Sequence, residues 1–318
     1  MGKNNVLVSI ITPSFNQERY IEETLLSVKN QTYNNIEHIV IDGGSTDHTL
    51  DILKKYEGSI IWSSEPDKGQ TNAINKGIRK SKGEILAYLN SDDLYLPDSI
   101  EIITTFFKEH PDIDMVYGNV IHIDSQSQVI ENVQIGEIVL EDYLTCQVYL
   151  PQPTVFFRRK IIEKIGYFDE TINLPMDLDY WIRIFLNAQT AYVPVYLAKA
   201  RFHSETKSSR GYLNNVADLL LVLDKTFQKE DPLINHFKTQ DRISQVKKRS
   251  YSYVYFFGGL RFLRYRQINN ARKYLNKGLK LNPWLFFNPY LLWSIFIAIV
   301  GVKISDKIIP YLPRISKI

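Results

Sequence analysis

The stretch Glu84-Ile-Leu-Ala-Tyr-Leu-Asn-Ser-Asp-Asp93 (EILAYLNSDD) is an apolar run that ends in a short polar segment with two adjacent acids, Asp92 and Asp93. A continuous apolar run of this length, bounded by polar residues, is typical of a strand buried on both faces of a sheet. Neighbouring carboxylates disfavour each other's ionisation unless a cation compensates them. The pattern therefore predicts a buried strand whose carboxyl end holds something positively charged.

Three earlier segments repeat this pattern of an apolar strand followed by a polar loop. The strand-like runs are VLVSIITPS (6–14), IEHIVID (36–42) and IIWSS (60–64), and their ends lead into Thr12-Pro13-Ser14, Asp42-Gly43-Gly44-Ser45 and Glu65-Pro66-Asp67-Lys68-Gly69. Helical patterns separate the runs, which predicts right-handed crossovers and a mostly parallel sheet. Ligands of such sheets gather outside the carboxyl ends of the strands, so one shared site is predicted there.

The rest of the chain changes character twice. Between residues 111 and 200 it mixes strand-like runs, DMVYGNVIHID (114–124) and TVFFRRK (154–160), with the helical DLDYWIRIFLNA (177–188). From about residue 214 it becomes helical, and residues 247–283 are typical of a helical hairpin. We predict an α/β domain over 1–212, a helical appendage over 213–283 and an apolar, basic segment over 284–318.

Bulk composition restricts the compartment and the partners. The net charge of +3 gives no electrostatic reason to expect a nucleic-acid partner. The single cysteine, Cys146, excludes an intrachain disulfide and fits a reducing compartment. The amino-terminal apolar run is too short for a signal peptide. These features favour a cytoplasmic protein.

The segment Trp284–Gly301 (WLFFNPYLLWSIFIAIVG) is dense in apolar and aromatic residues, but Asn288 and Pro289 interrupt it. It is followed by Lys303, Lys307, Arg314 and Lys317, a basic flank that suits an anionic cytoplasmic leaflet. We expect peripheral attachment to the inner face of the cell membrane. Packing into a core and a true membrane span are the two alternatives.

The polar strand ends have a specific chemistry. Asp42 can accept the imide N–H of uracil or thymine or bond a ribose, although an Asx-type turn is the alternative. The acid pair offers the hard oxygen ligands that Mg²⁺ or Mn²⁺ uses to bridge to a diphosphate, unless the pair only caps a solvated turn. Neither the G-x-x-x-x-G-K-[ST] loop nor the G-x-G-x-x-G turn is present. A nicotinamide-dependent dehydrogenase is therefore disfavoured, and a bound phosphate would be held by a metal ion and basic residues.

Three segments resemble the family 2 glycosyltransferases of the GT-A fold: SIITPSFNQERYIEETLLSVKNQTYNNIEHIVIDGGSTDHT, SEPDKGQTNAINKGIRKSKGEILAYLNSDDLYLPDS and QPTVFFRRKIIEKIGYFDETINLPMDLDYWIRI. The likeness extends over roughly residues 6–210. It implies a Rossmann-like, mostly parallel sheet with flanking helices. It also implies an inverting, metal-dependent enzyme that uses Mn²⁺ or Mg²⁺. The substrates implied are a UDP- or dTDP-sugar and an acceptor hydroxyl on a saccharide or lipid-linked saccharide, in the assembly of cell-surface polysaccharide, lipopolysaccharide or glycolipid.

The resemblance also implies roles for individual residues. The nucleotide-sugar donor would contact Thr12, Pro13, Ser14, Asp42, Asp67, Lys68, Gln70, Asn75 and Asp92. The metal ion would be held by Asp92, Asp93 and His203, and the acceptor side would be formed by Gln152, Asp179 and Trp181. Asp177 would be the catalytic base. Arg201, Lys207 and Ser208 would lie with His203 on a mobile loop that closes on the diphosphate.

Two positions depart from the family pattern. Asn90 stands where the family has the first acid of its metal motif, and Met176 stands where a glutamate precedes the base. Simpler interpretations remain open for the site residues. Asp177 and Asp179 also suit a helix start, Trp181 suits a core, and His203 suits a surface turn.

Two other functions remain open beside the leading hypothesis. One is a synthase of the same fold that charges a polyprenyl phosphate with a sugar, which the apolar C-terminal segment favours. The other is a non-catalytic scaffold that binds nucleotide-sugars, in which Asn90 and Met176 mark decay. The donor sugar, the acceptor and the linkage depend on pocket shape, which the motifs do not encode.

Overall fold

The computed structural model describes residues 5–146, 148–172, 174–203, 215–289 and 291. The chain divides into two compact units, Met1–Glu137 with Leu150–Thr206, and Ile138–Tyr149 with Lys207–Ile318. The predicted domain boundary at residue 212 lies outside the described residues. The segment Ile138–Tyr149 groups with the second unit although it interrupts the first in sequence.

Strands and helices alternate through the first half of the chain. The strands are β1 (Val8–Ser14), β2 (Ile36–Asp42), β3 (Ile61–Ser64), β4 (Ile85–Tyr88), β5 (Leu94–Tyr95), β6 (Met115–Ile123), β7 (Val129–Val133), β8 (Phe156–Arg158) and β9 (Thr190–Arg201). The helices are α1 (Ile21–Lys29), α2 (Thr49–Lys55), α3 (Gln70–Lys80), α4 (Ser99–Glu109), α5 (Leu140–Tyr143), α6 (Lys160–Ile165), α7 (Met176–Asn187), α8 (Asn215–Phe227), α9 (Glu230–Phe237), α10 (Gln240–Arg264) and α11 (Ile268–Leu281). Short 3₁₀ turns cover Gln152–Thr154 and Pro283–Phe287.

The strands form one sheet in the order β3-β2-β1-β4-β8-β6-β9-β5, with β7 paired to β6. The four amino-terminal strands run parallel, as predicted, and Ser14, Asp42 and Ser64 share one register at their carboxyl ends. Beyond β4 the sheet is mixed, because β8 is antiparallel to both β4 and β6 whereas β9 is parallel to β6. The predicted α/β fold with a C-terminal helical part is confirmed.

Strand β9 is the longest of the strands that the sequence patterns did not predict, the others being β5 and β7. It pairs with β6 in parallel and with β5 in antiparallel fashion. Its register against β6 shifts around Pro194, where the missing N–H is tolerated because the ladder is interrupted there. The strand ends at Arg201, and Leu94 pairs with Lys199. Strand β9 therefore brings Arg201 and His203 to the acid pair of the opening stretch.

The second unit is built around a helical hairpin. Helices α10 and α11 pack closely, since a Cβ on Gly278 would lie 2.8 Å from the backbone nitrogen of Phe256. The hairpin core includes Phe256, Phe257 and Leu260.

Burial raises the pKa of the Cys146 thiol to about 12, so this thiol is not ionised at neutral pH.

No helix among residues 5–146, 148–172, 174–203, 215–289 and 291 has the length and apolar character needed to cross a membrane. The predicted C-terminal segment, 284–318, lies mostly outside the described residues, which include only 284–289 and 291 of it.

Acid should destabilise the first unit through His38, which lies buried in β2 with its Nε2 2.9 Å from Oγ1 of Thr12. Burial lowers the pKa of His38 to about 3. An unfolded histidine titrates near pH 6.5, so below that pH the unfolded chain binds a proton that the folded chain does not. The free energy of unfolding should therefore fall by up to about 1.4 kcal/mol per pH unit from pH 6.5 towards pH 3.

Urea unfolding of the wild type and of His38→Gln at pH 7 and pH 5 measures this contribution. The glutamine keeps a hydrogen-bonding group beside Thr12 but does not titrate. We expect the wild type to lose about 2 kcal/mol more than the variant on acidification. Equal losses in the two proteins would show that His38 is not the group responsible.

Candidate active site

Asp93 is oriented inward. It is 5% exposed, its Oδ1 accepts a hydrogen bond from the backbone nitrogen of Arg201 at 2.9 Å, and its Oδ2 accepts one from Nδ2 of Asn90 at 3.2 Å. Burial, followed by the charge of Asp92, raises the pKa of Asp93 well above its usual range. Both carboxylate oxygens are thus engaged by protein donors in this structure.

Asp92 instead meets His203. Their Oδ2 and Nε2 atoms lie 3.0 Å apart, and both side chains are mostly buried. The imidazole also packs against the ring of Tyr20, with the centroids 4.8 Å apart. A carboxylate oxygen and an imidazole nitrogen form a donor set that Mn²⁺ accepts, whereas Mg²⁺ prefers oxygen alone.

The predicted three-residue metal site is not assembled. Within the described ranges, no group of three or more His, Cys, Asp and Glu residues is placed to hold a metal ion. The physical reason is that Asp93 turns to Arg201 and Asn90, which leaves Asp92 with His203. A catalytic Mg²⁺ or Mn²⁺ needs only one or two protein ligands when a diphosphate and waters complete its shell, so the remaining pair still fits a cation.

Arg201 is the fixed positive charge at the acid pair. Its fully buried side chain donates from Nε to the carbonyl oxygen of Asp92 at 2.9 Å and from an Nη to Oε2 of Glu23 at 2.9 Å. The guanidinium also lies 4.7 Å from the ring centroid of Tyr20. The expectation that Arg201 belongs to a mobile loop is therefore wrong. Arg201 is the last residue of β9, and its guanidinium is held by these contacts within the protein. Lys207 and Ser208 lie outside the described residues.

Removing this charge should destabilise the first unit. Arg201→Met keeps the length of the side chain but leaves the Asp92 carbonyl without its donor and Glu23 without its ion-pair partner. We expect the free energy of unfolding to fall by about 3 kcal/mol, at the lower end for a broken buried pair because Glu23 is half exposed. Chemical denaturation measures the loss.

Arg19→Met is the matched control, because the guanidinium of Arg19 also lies against the ring of Tyr20, at 5.0 Å, but is exposed. It should change the stability by no more than about 0.5 kcal/mol. Similar losses in the two variants would mean that contact with the Tyr20 ring, and not the buried charge network, explains the role of Arg201.

Side-chain amides link the acid pair to its neighbours. Nε2 of Gln70 donates to Oδ1 of Asn90 at 2.7 Å, and Nδ2 of Asn90 donates to Oε1 of Gln152 at 3.0 Å. Gln152 in turn donates to the carbonyl oxygen of Tyr88. An aspartate at position 90 would have no donor for Gln152 or Asp93. The neighbours of Asn90 thus require the amide donor that an aspartate at this position would lack.

Asp42 is buried, and its carboxylate accepts hydrogen bonds within its own neighbourhood. The donors are the backbone nitrogens of Gly44 at 3.0 Å and Ser45 at 2.8 Å, and the hydroxyls of Ser45 and Ser64. These bonds fill the usual acceptor capacity of a carboxylate and correspond to the Asx-type alternative. A base that bonds Asp42 would have to displace one of them.

The end of β1 presents Ser14 and Phe15. The Oγ of Ser14 is buried and has no hydrogen-bond partner among the described residues, whereas the hydroxyl of Thr12 is engaged by His38. The ring of Phe15 is 58% exposed. The sequence patterns did not identify Phe15 as a site residue. Its position directly after the end of a strand was the signal that could have indicated it.

The loop after β3 lies against the loop after β2. A Cβ on Gly43 would lie 2.9 Å from Oδ2 of Asp67, so a larger residue there would require the Asp67 side chain to move. Asp67 also accepts a hydrogen bond from the backbone nitrogen of Gly69 at 2.7 Å. Lys68 between them is exposed at this edge.

Asn75 serves a structural purpose. Its buried amide bonds the backbone nitrogen and oxygen of Phe168 at 3.1 and 2.9 Å, and Oε1 of Glu170 at 3.0 Å. It therefore fixes the segment that leads into α7, and these contacts account for its side chain.

Helix α7 begins beside α3, since Oγ1 of Thr71 lies 2.7 Å from Sδ of Met176. Because Gln70 precedes Thr71 and bonds Asn90, the start of α7 is connected through contacts to the acid pair. Asp177, in the first turn, is half-buried.

The other two predicted residues of α7 face inward. Asp179 is 5% exposed and its Oδ2 pairs with Arg183 at 2.8 Å. Trp181 is fully buried and stacks on Tyr88 with the centroids 6.3 Å apart. The core alternative for Trp181 is supported by this packing. Since a base must reach a substrate, Asp177 is the better placed of the two acids.

The sheet topology and the strand-end site together define a GT-A type α/β protein. Residues 9–169, half of the chain, match the family model described as Glycosyl transferase family 2. The chain therefore belongs to glycosyl transferase family 2.

Relatives carry the same assignment. An uncharacterized glycosyltransferase of Rickettsia prowazekii is 29% identical over 77% of this chain and 81% of its own length. A PGL/p-HBAD biosynthesis glycosyltransferase of Mycobacterium bovis is 30% identical over 71% of this chain and 84% of its own length. An uncharacterized glycosyltransferase of Rickettsia bellii is 30% identical over 64% of this chain, which spans only 31% of that longer protein.

Solved structures show the same fold. S. aureus TarS superposes with a TM-score of 0.63 at 18% identity, over 87% of this chain and 55% of TarS. TarS 1–349 in complex with UDP-GlcNAc gives a TM-score of 0.60 at 18% identity, over 85% of this chain and 90% of that one. The mannosyltransferase PcManGT of Pyrobaculum calidifontis, in complex with GDP-Man and Mn²⁺, gives 0.55 at 17% identity, over 94% and 87% of the two chains. The predicted GT-A fold is confirmed.

Proposed function

We propose that this protein is an inverting, metal-dependent glycosyltransferase that moves a sugar from a UDP- or dTDP-sugar to an acceptor hydroxyl. One observation carries the proposal: Asp92 and His203 form a mostly buried carboxylate–imidazole pair at the edge of the sheet where the parallel strands end. The nucleotide-sugar complexes of TarS and PcManGT, proteins of the same fold, support a nucleotide-sugar donor.

The nucleoside would lie at the ends of β1 and β2. The exposed ring of Phe15 offers a stacking surface to the base, and the Oγ of Ser14 is a buried hydroxyl that needs a partner. Asp42 would read the imide of a pyrimidine by exchanging one of its present hydrogen bonds. Asp67 and Gln70 would border the donor sugar.

The diphosphate would lie between Asp92 and Lys68. Asp92 and His203 would hold the cation, and Arg201 keeps Asp93 and the Asp92 backbone in place beneath them. When bound, Mn²⁺ or Mg²⁺ supplies positive charge that stabilises the departing nucleotide diphosphate. Lys68, exposed in the loop after β3, would add a second positive charge.

Asp177 would act as the base. Its carboxylate takes the proton of the acceptor hydroxyl as that oxygen forms a bond to the anomeric carbon. The bond between this carbon and the diphosphate oxygen breaks on the opposite face, and its electron pair leaves with the nucleotide. The anomeric configuration is inverted because attack and departure occur on opposite faces. Gln152 would border the acceptor through its link to Asn90.

The acceptor would be a saccharide or a lipid-linked saccharide in cell-surface polysaccharide or glycolipid assembly. A mycobacterial relative is named for PGL/p-HBAD biosynthesis, which supports this class. We place the reaction in the cytoplasm, at the inner face of the cell membrane.

A screen of UDP- and dTDP-sugars with Mn²⁺ tests the proposal, with release of the free nucleotide as the readout. We expect at least one donor to be hydrolysed slowly alone and faster with a lipid-linked saccharide. Donors that bind and raise the melting temperature but never release nucleotide would instead identify a non-catalytic scaffold.

A further inference from the structure

An exposed cluster of aromatic side chains follows the last helix of the helical unit. In the 3₁₀ turn after α11, Trp284, Phe286 and Phe287 are 80%, 62% and 75% exposed. The ring of Phe287 lies next to the other two, with its centroid 6.1 Å from that of Trp284 and 5.7 Å from that of Phe286. Leu285 between them is buried in the cluster that contains Phe256. The turn is therefore anchored by one side chain and holds three apolar rings in water.

The preceding helix adds positive charge. Helix α11 carries Arg272, Lys273, Lys277 and Lys280, all exposed, and its sequence has no acid. Lys273, Lys277 and Lys280 have the i, i+4, i+7 spacing that places side chains on one face of a helix. Gly278, which packs against α10, lies on another side of the helix. Lys277 is exposed, but its Nζ also lies 5.0 Å from the ring centroid of Tyr255 in α10. Lys280 lies only three residues before the aromatic turn.

The combination selects one kind of partner. A purely apolar partner protein would gain nothing from a row of lysines, and a nucleic-acid duplex would not bury three contiguous apolar rings. A single strand could stack its bases on such rings, but it would give no flotation with vesicles. The interface of an anionic bilayer accepts both, because aromatic rings settle at the headgroup level and lysines are attracted to the anionic surface. The sequence that follows has the same composition, with an apolar run to Val302 and then Lys303 and Lys307.

We propose that Trp284, Phe286 and Phe287 together with Lys273, Lys277 and Lys280 form a docking surface for an anionic membrane. This surface deepens the proposed membrane location of the acceptor and does not depend on the transfer chemistry. It is formed by described residues of the helical unit, so it differs from attachment by residues 290–318 alone.

Flotation of the full-length protein with vesicles tests the surface. The vesicles are phosphatidylcholine alone or phosphatidylcholine mixed with phosphatidylglycerol. We expect the wild type to float with the anionic vesicles. The triple variant K273E/K277E/K280E should bind them at least about 100-fold more weakly, since each cation near an anionic surface contributes roughly fivefold. The triple variant W284S/F286S/F287S should lose binding to a similar extent.

The variant K55E/K82E/K108E is the matched control, because it changes the net charge equally at three exposed lysines of the first unit. It should float within about threefold of the wild type, allowing for its lower net charge. Unchanged flotation of the aromatic variant would overturn the proposal and assign attachment to residues 290–318. A wild-type dimer that W284S/F286S/F287S converts to a monomer in size-exclusion chromatography would also overturn it, in favour of a second copy of the chain.

Nucleotide release from the donor in solution, without vesicles, separates this proposal from the proposed function. It should be equal in the wild type and in all three variants. Loss of flotation with normal release supports the docking surface, whereas absence of release in the wild type would count against the transfer reaction and leave the flotation result valid.

Discussion

Asp177→Asn is expected to lower the rate of sugar transfer by about 1,000-fold, within the range that general-base catalysis contributes. The asparagine has nearly the same shape, and its side-chain oxygen can still accept the hydrogen bond that Oδ1 of Asp177 accepts from the backbone nitrogen of Leu178 at 2.9 Å. An amide cannot take a proton from the acceptor hydroxyl. The affinity for the nucleotide should therefore be unchanged, and the loss should be in the turnover number at saturating substrates.

Asp179→Asn is the control for this substitution, because it alters the next acid of the same helix. Asp179 holds Arg183, whose guanidinium also donates to the carbonyl oxygens of Ile165 and Tyr167. We expect this variant to be less stable and to keep its turnover per folded molecule. Normal turnover in Asp177→Asn, or an equal loss in both variants, would contradict the assignment of the base.

Removing the divalent cation is expected to lower transfer at least about 100-fold, because the departing diphosphate would lose its largest source of charge stabilisation. EDTA should abolish the activity, and Mn²⁺ or Mg²⁺ in excess should restore it. Full activity in chelator would refute the assignment of Asp92 and His203 to a cation.

Binding of Mn²⁺ provides a second measurement that does not depend on turnover. The electron paramagnetic resonance signal of free Mn²⁺ should fall when protein and UDP or dTDP are added together. Asp92→Asn should weaken this effect strongly, since it removes the charge of one of the two ligands. Asp112→Asn is the comparison, because Asp112 is an exposed acid outside the proposed site, and it should leave Mn²⁺ binding within about threefold of the wild type.

The parallel half of the fold could be predicted because its signals are local. The apolar runs that form β1, β2 and β4 are long enough to be buried, and polar residues follow each of them, whereas β3 is a short edge strand with Ile61 exposed. Strand β9 could not be predicted in this way, because Pro194 interrupts its pattern and its partner β6 lies far away in sequence.

The candidate site was predictable in its residues but not in their contacts. The acid pair, Asp42 and His203 could be selected from motif and chemistry. The positive charge beside the acid pair could not be predicted. It comes from Arg201, which is 109 residues from Asp92 in sequence and reaches it only because β9 pairs with the sheet. For the same reason the inward orientation of Asp93 and the amide links of Asn90 become visible only in the folded chain.

The most direct test of the central claim is a calorimetric titration of UDP and dTDP into the wild-type protein with Mn²⁺ present. If the strand ends hold a nucleotide diphosphate and its cation, at least one of the two nucleotides should bind at a single saturable site. This binding should be lost in EDTA and weakened at least tenfold in Asp92→Asn. Absence of binding by the wild type, or binding that is unchanged in both EDTA and Asp92→Asn, would contradict the claim.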